Sequence, residues 1–221
     1  MQHLSGATAF VAPIAFLASI FGLNGNVARA DTFAADGVFD SVAVFVGQGV
    51  NQNLRQLPVK IATASVDWDK TYYAELGFGK IRGTLGQSFE SLQGTPFASL
   101  RHGYETVLTK HFGLQYNSEV GAAYMLKTPD AELGWVRVNF AAGAGLSYAV
   151  GNPAYEDGGD SDPQRRYRTQ FLGLFDLEWH LADSDKLSII TRGHHRCGVY
   201  GLVAPRHVGS NFLAIGVSRK F

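Results

Sequence analysis

The sequence predicts an all-β protein, an eight-stranded antiparallel transmembrane β-barrel over residues 31–221. Apolar and polar residues alternate with a period of two through most of this region, as they do in half-buried strands. No segment after residue 31 is long and apolar enough for a membrane-spanning helix. Short and long connections alternate between the predicted strands, and an even strand count returns both ends of the barrel to one side.

Residues 1–30 differ from the rest of the chain and predict a secretory signal peptide. An apolar run over residues 7–23 is followed by "ARA", in which Ala28 and Ala30 form an A-x-A cleavage site before Asp31. No Lys or Arg precedes the run, and Pro13 interrupts it. A short buried or membrane-anchoring helix is the alternative. The signal-peptide interpretation predicts that the barrel is exported.

Charge and cysteine content exclude several classes of function. The 221 residues include 19 basic and 19 acidic side chains, so no net charge favours a nucleic-acid partner. The single cysteine, Cys197, excludes an intramolecular disulfide and any CxxC zinc or redox motif. We therefore expect one domain that binds no nucleic acid and uses no cofactor.

Period-two alternation places the eight strands and their two faces. The predicted strands are residues 42–50, 71–81, 98–111, 118–126, 134–150, 167–181, 186–198 and 210–221. Residues 59–68 could form a ninth strand, but we assign them to the first long loop because single-chain bacterial barrels have an even number of strands. The connection over residues 82–96 is long for a periplasmic turn.

Alternation by itself does not say which face of the barrel meets solvent. In residues 168–181, Phe171 and Trp179 lie on one side of the strand, and Asp176 and Glu178 lie on the other. In a soluble exported barrel the apolar face would point inward. In a membrane barrel it would meet lipid, and the charged face would fill the interior.

The C-terminal stretch "NFLAIGVSRKF" favours the membrane barrel. It ends on Phe221, with Leu213, Ile215 and Val217 at alternate positions, and it resembles the C-terminal strand signature of bacterial outer-membrane proteins. Arg219 departs from that signature. The resemblance implies a location in the bacterial outer membrane, contact with outer-membrane lipids, and insertion by the barrel-assembly machinery through the C-terminal strand. A soluble exported barrel remains the alternative.

The predicted inward face is strongly charged. An eight-stranded barrel is just wide enough for side chains, so these residues predict a compensated ionic plug and not a channel. Pairing of Glu119 or Glu178 with a histidine for acid–base chemistry is the alternative. The inward-facing residues are Glu75, Arg101, Glu105, Glu119, Arg137, Asp176, Glu178, His180, Arg192, His194 and Arg196.

The stretch "TRGHHRCGVYGL" carries the candidate site. On the strand over residues 186–198, His195 and Cys197 share the apolar, lipid-facing side, whereas His194 and Arg196 point inward. Because the last strand ends in the periplasm, His195 and Cys197 lie near the outer leaflet. Polar groups that face lipid are costly, so this pair is a candidate functional site.

The arrangement "HHRCGVYGL…VGSNFLAIGV" resembles the C-terminal part of small outer-membrane barrels that carry "HHRSG…GSNF" and are similar to the lipid A 3-O-deacylases. The resemblance covers roughly the last quarter of the chain. It implies that His195 is the general base, that Cys197 stands at the serine nucleophile, and that Asn211 lies near the place of the acid. The implied substrate is the lipid A of lipopolysaccharide, and the implied reaction is hydrolysis of an acyl ester.

Two departures from the family pattern keep a non-catalytic structural barrel open as an alternative. Cys197 replaces a serine, and only its thiolate is a strong nucleophile. Asn211 can orient an imidazole but cannot stabilise imidazolium by charge. In the structural interpretation, His195 is an interfacial residue and Cys197 a small lipid-facing one. His194, His195 and His207 are a weak metal signal because His194 and His195 face opposite sides, so we expect no metal site.

Overall fold

The computed structural model describes residues 37–157, 167–181, 186–206 and 208–221. The predicted signal peptide over residues 1–30 and the metal-ligand candidate His207 lie outside the described residues. None of the helices in the described ranges is long and apolar enough to cross a membrane.

Antiparallel strands make up nearly all of the described chain, with two short helices in the connections. The helices are α1 (Leu57–Ala62) and α2 (Leu85–Ser88). The strands are β1 (Ser41–Val50), β2 (Trp68–Thr84), β3 (Arg101–Gly113), β4 (Ser118–Lys127), β5 (Ala131–Leu133), β6 (Val136–Val150), β7 (Thr169–Leu181), β8 (Leu187–Cys197) and β9 (Gly209–Lys220).

The sheet closes on itself. Strand β1 pairs with both β2 and β9, and β4 pairs with both β3 and β6, so the eight long strands form a complete ring. The three-residue strand β5 pairs with β6 beside this ring. Closure gives the backbone of each long strand two hydrogen-bonded neighbours and leaves no exposed edge. The predicted eight-stranded antiparallel barrel is confirmed.

Two predicted connections take the form of structured loops. Helix α1 overlaps the segment that could have been a ninth strand, and only Trp68 of residues 59–68 belongs to a strand, so this segment lies in the first long loop, as predicted. The long connection after β2 contains α2, whose N-terminus is capped reciprocally by Thr84 and Gln87. Folding of α2 against the end of the barrel accounts for the unusual length of this connection.

The outer wall is apolar and the interior is charged. Leu76, Leu108 and Leu146 are among the exposed residues of the wall, whereas Glu119 and Arg196 are buried inside it. This arrangement is the reverse of a soluble barrel and matches a barrel that spans a membrane. The predicted face assignment and the transmembrane class of the barrel are therefore confirmed.

Arg192 holds the middle of the interior together. Its Nη1 lies 2.9 Å from Glu75 Oε1 and 2.7 Å from Glu105 Oε1, and its Nη2 lies 2.6 Å from Asp176 Oδ2. The guanidinium also stacks over the ring of Phe45, 3.9 Å from the ring centroid. Ion pairs thus cross the middle of the lumen, as the predicted ionic plug requires.

We expect Arg192→Leu to destabilise the barrel by about 3–5 kcal/mol, because three buried carboxylates would lose their cationic partner. Urea unfolding of the refolded protein in lipid vesicles, followed by tryptophan fluorescence, measures this change. Arg82→Leu is the matched control, since Arg82 is an exposed arginine outside the interior. Equal unfolding midpoints for the two variants would contradict a stabilising role for the Arg192 ion pairs.

Candidate active site on the outer wall

The register of β8 and β9 brings two of the three predicted site residues together. His195 lies opposite Asn211, and Cys197 lies opposite Gly209. Along β8, His194 and Arg196 are buried inside the barrel, whereas His195 and Cys197 are half-buried on the outer wall. His195, Cys197 and Asn211 therefore share the lipid-facing side, near the end of the barrel where β8 finishes.

A chain of hydrogen bonds orients the His195 ring. Asn211 Nδ2 donates to the backbone oxygen of Gln52 over 2.8 Å, which turns Asn211 Oδ1 toward the histidine. His195 Nδ1 lies 2.7 Å from that oxygen. Because an amide oxygen only accepts hydrogen bonds, Nδ1 carries the proton and Nε2 keeps its lone pair. His195 is thereby held in the tautomer that can act as a base through Nε2.

Cys197 lies two residues further along the same face, which corresponds to about 6–7 Å along a strand. It is a half-buried free thiol. Within the described residues, no hydrogen bond joins the thiol to His195. The two side chains therefore share a face of β8, without a hydrogen bond between them in the described part of the chain.

Glycines lie beside both residues in the sheet. Gly173 of β7 lies opposite His195 in the sheet, and Gly209 lies opposite Cys197. Gly209 has a φ of +152°, and a Cβ there would stand 2.4 Å from the backbone oxygen of Arg196, so only glycine is accommodated.

The loop after Cys197 is strained and is held by two arginines. Val199 and Tyr200 have φ angles of 47° and 55°, a left-handed conformation that is uncommon for residues other than glycine. Arg55 Nη2 donates to Tyr200 Oη over 3.2 Å, and Arg206 Nε donates to the Tyr200 backbone oxygen over 3.2 Å. The first bond connects the loops that follow β1 and β8, and the second lies within the loop that follows β8.

The contacts of Gln52, Arg55 and Tyr200 could not be predicted from the sequence. Gln52 reaches Asn211 across 159 positions of the chain, and Arg55 reaches Tyr200 across 145. Tyr200 lies in the stretch "TRGHHRCGVYGL", but nothing in that stretch predicts its contact with Arg55. Closure of β1 against β9 is what brings the first loop to the site.

The glutamate–histidine pairs considered as an alternative site lie inside the barrel. Glu119 Oε2 lies 3.0 Å from His111 Nε2, and Glu178 Oε1 lies 3.2 Å from His180 Nε2. All four side chains are buried within the barrel, away from any molecule in the lipid phase. His194 is also buried inside, where its Nδ1 lies 2.9 Å from Glu75 Oε2. His194 and His195 therefore face opposite sides, as predicted, and cannot share an ion.

The fold and this site define a small transmembrane β-barrel with an oriented histidine and a free thiol on its lipid-facing wall. The outer-membrane enzyme PagL has a similar fold, with a TM-score of 0.54 and 13% sequence identity over 82% of this chain and 99% of that chain. This likeness shows a shared barrel fold.

Two further solved structures are similar at lower scores. Neisserial surface protein A (NspA) has a TM-score of 0.46 and 13% identity over 82% of this chain and 96% of its own. LpxR from Salmonella typhimurium has a TM-score of 0.32 and 10% identity over 81% of this chain and 68% of its own. No protein-family model and no curated protein sequence matches the chain.

Single cysteines at neighbouring positions test the assignment of faces on β8. In a Cys197→Ala background, we expect a lipid-soluble maleimide to label Ile189→Cys and to spare Ile190→Cys, because Ile189 is 51% exposed and Ile190 only 6%. Both cysteines should react after the barrel is unfolded. Labelling is measured as a mass increase of the intact protein. Equal labelling of the two folded variants would contradict the alternation.

Proposed function

We propose that this chain is a barrel of the bacterial outer membrane that hydrolyses an ester-linked acyl chain of lipid A. The proposed location rests on the apolar outer wall, the charged interior and the C-terminal strand signature. The proposed chemistry rests on one observation above all. The His195–Asn211 hydrogen bond presents an oriented base on the lipid-facing wall, on the same face as the only cysteine of the chain.

The location has a direct test. When the full chain is expressed in a Gram-negative host, we expect the mature protein in the outer-membrane fraction, because its apolar wall is stable only in lipid or detergent. Its electrophoretic mobility should shift on boiling, since the closed sheet resists detergent at room temperature. Recovery of the folded protein from soluble periplasm without detergent would contradict the membrane location.

The proposed reaction begins with proton transfer from the Cys197 thiol to His195 Nε2. The resulting thiolate attacks the carbonyl carbon of the acyl ester, and the sugar alkoxide leaves with the proton returned by His195. A water molecule, deprotonated by the same imidazole, then hydrolyses the thioester. The products are a free fatty acid, a lipid A with one acyl chain fewer, and regenerated thiol.

Asn211 is the positioning residue in this scheme. It holds the ring through Nδ1, as the asparagine does in Cys-His-Asn thiol hydrolases, but it provides no negative charge to stabilise imidazolium. The thiolate itself provides that charge when it forms an ion pair with the protonated ring. The replacement of serine by cysteine and the replacement of an acid by asparagine therefore fit one another chemically.

A non-catalytic structural barrel is the second candidate. The absence of a hydrogen bond between His195 and Cys197 among the described residues favours it, as does the densely filled interior. In that function the outer wall only contacts lipopolysaccharide and other outer-membrane lipids. The two candidates differ in whether lipid A composition depends on Cys197.

Mass spectrometry of lipid A distinguishes them. We expect expression of the wild-type chain in a host with fully acylated lipid A to yield a species that lacks one acyl chain. Cys197→Ala should abolish this species because no other thiol is present. His195→Ala should abolish it while the barrel still folds, and Cys197→Ser should retain activity by supplying a hydroxyl nucleophile.

Thr191→Ala is the matched control, since Thr191 is a polar residue on the same face of β8, four positions before His195. It should leave the deacylated species unchanged. Identical lipid A spectra for wild type, Cys197→Ala and empty vector, with each protein verified in the outer membrane, would overturn the hydrolase proposal and support the structural one.

A further inference from the structure

A second polar cluster lies inside the barrel, at its extracellular end, and takes no part in the proposed hydrolysis. It consists of His111 near the end of β3, Glu119 near the start of β4, and Glu156 in the loop after β6. All three side chains are buried, and one ligand-type atom of each lies within 4.8 Å of those of the other two. Neighbouring strands and a returning loop thus converge on one point of the lumen.

The cluster carries polar atoms without hydrogen-bond partners. Glu119 Oε1, His111 Nδ1, His194 Nε2 and Gln115 Oε1 are each buried and accept or donate no hydrogen bond. The nearest charged atoms to Glu119 Oε1 are His194 Nε2 and Arg196 Nε, both at 3.4 Å. Buried polar groups in native proteins normally have a protein, water or ion partner, and an ion bound at this cluster would provide one.

The charges of the interior also favour a cation. Among the described residues, one connected set of ion pairs joins five carboxylates to two guanidinium groups and two imidazoles. Even with both imidazoles protonated, the carboxylates of this set exceed its cationic groups. Uncompensated charge in a dry interior is costly, and a bound metal ion removes that cost. The members are Glu75, Glu105, Glu119, Glu156, Asp176, Arg192, Arg196, His111 and His194.

One carboxylate oxygen of Glu156 is available to coordinate a metal ion. Its Oε2 is the partner of Arg196 Nη1 and of Gln170 Nε2, whereas its Oε1 receives only long hydrogen bonds, 3.3 Å from Gln115 Nε2 and 3.2 Å from Ser210 Oγ. Arg196 can therefore stay in place while Oε1 binds an ion.

The segment that carries Glu156 is anchored in the mouth of the barrel. Burial and the nearby Asp69 carboxylate raise the pKa of the Tyr155 phenol, which stays protonated and donates to Asp69 Oδ2 over 2.5 Å. This bond fixes the neighbouring Glu156 above the lumen.

We propose that His111, Glu119 and Glu156 bind a divalent transition-metal ion of the zinc class inside the extracellular end of the barrel. One imidazole and two carboxylates are ligands that such ions accept, with water at the remaining position. Tetrahedral zinc holds its ligand atoms about 3.3 Å apart, so side-chain rotation within the cluster completes the site. This site could not be predicted from the sequence, because its three ligands lie on separate segments and their spacing matches no metal-binding motif.

Zinc binding to the refolded, untagged barrel tests the proposal. After treatment with a chelator and its removal, titration calorimetry with Zn²⁺ should show one ion per barrel. Loss of outer-shell partners typically weakens metal sites by about 10–100-fold, so His111→Gln and Glu156→Gln, which remove ligands, should weaken binding by about 100-fold or more. X-ray absorption of the wild-type zinc complex should show nitrogen and oxygen ligands only.

Two matched controls separate this site from the alternatives. His180 is another buried histidine paired with a glutamate, Glu178, near the other end of the lumen, and His180→Gln should leave zinc affinity unchanged. Cys197→Ala should also leave it unchanged, which separates the interior site from the His195–Cys197 wall. A heat-dependent mobility shift verifies folding of each variant.

Several outcomes would overturn the proposal. These are no zinc binding by the folded wild-type barrel, equal loss of affinity in His111→Gln and His180→Gln, or a sulfur ligand in the absorption spectrum. If a ligand variant does not fold, the absorption spectrum of the wild type still decides between the interior site and the outer wall. None of these outcomes bears on the deacylation test, which does not involve the interior residues.

Discussion

Lipid offers no hydrogen-bond partner to a peptide group, and most of this structure depends on that constraint. A sheet in lipid must close, so β1 meets β9 and the backbone of each long strand is paired on both sides. Closure in turn requires every strand to show one face to lipid and one to a narrow lumen. The alternation of apolar and polar residues, the buried charges and the position of the candidate site all follow from this division.

The buried charges in the lumen also need partners, and they find them in one another. The side chains that point into the lumen alternate along each strand with the lipid-facing ones, and many of them are charged. Each of these buried charges needs a partner of opposite charge. Arg192 and Arg196 provide those partners for carboxylates from several strands and one loop. His111 and His194 also pair with carboxylates of this interior.

Only the backbone of β8 separates the interior ion pairs from the candidate site on the outer wall. His194 belongs to the interior ion-pair set, and the next residue, His195, belongs to the outer wall. One strand, β8, therefore serves two environments that share no side chain. Substitutions on the two faces of β8 consequently change different sets of contacts.

The sequence by itself determined the period-two strands, their count and the face of each residue, because alternation is a local property of the extended chain. It also determined that His195 and Cys197 lie on the lipid side of one strand. Residue pairs such as His195 with Asn211 follow once the register of β8 and β9 is known.

Only the tertiary structure decided which distant segments meet. The support of Asn211 by Gln52, the bond between Arg55 and Tyr200, and the cluster of His111 with Glu119 and Glu156 join segments that closure and loop folding bring together. Strand alternation says which face a side chain occupies, but not which loop folds back over it. Those contacts depend on barrel closure and on which buried charges pair with one another. Both are long-range properties, so the local alternation of residues does not reveal them.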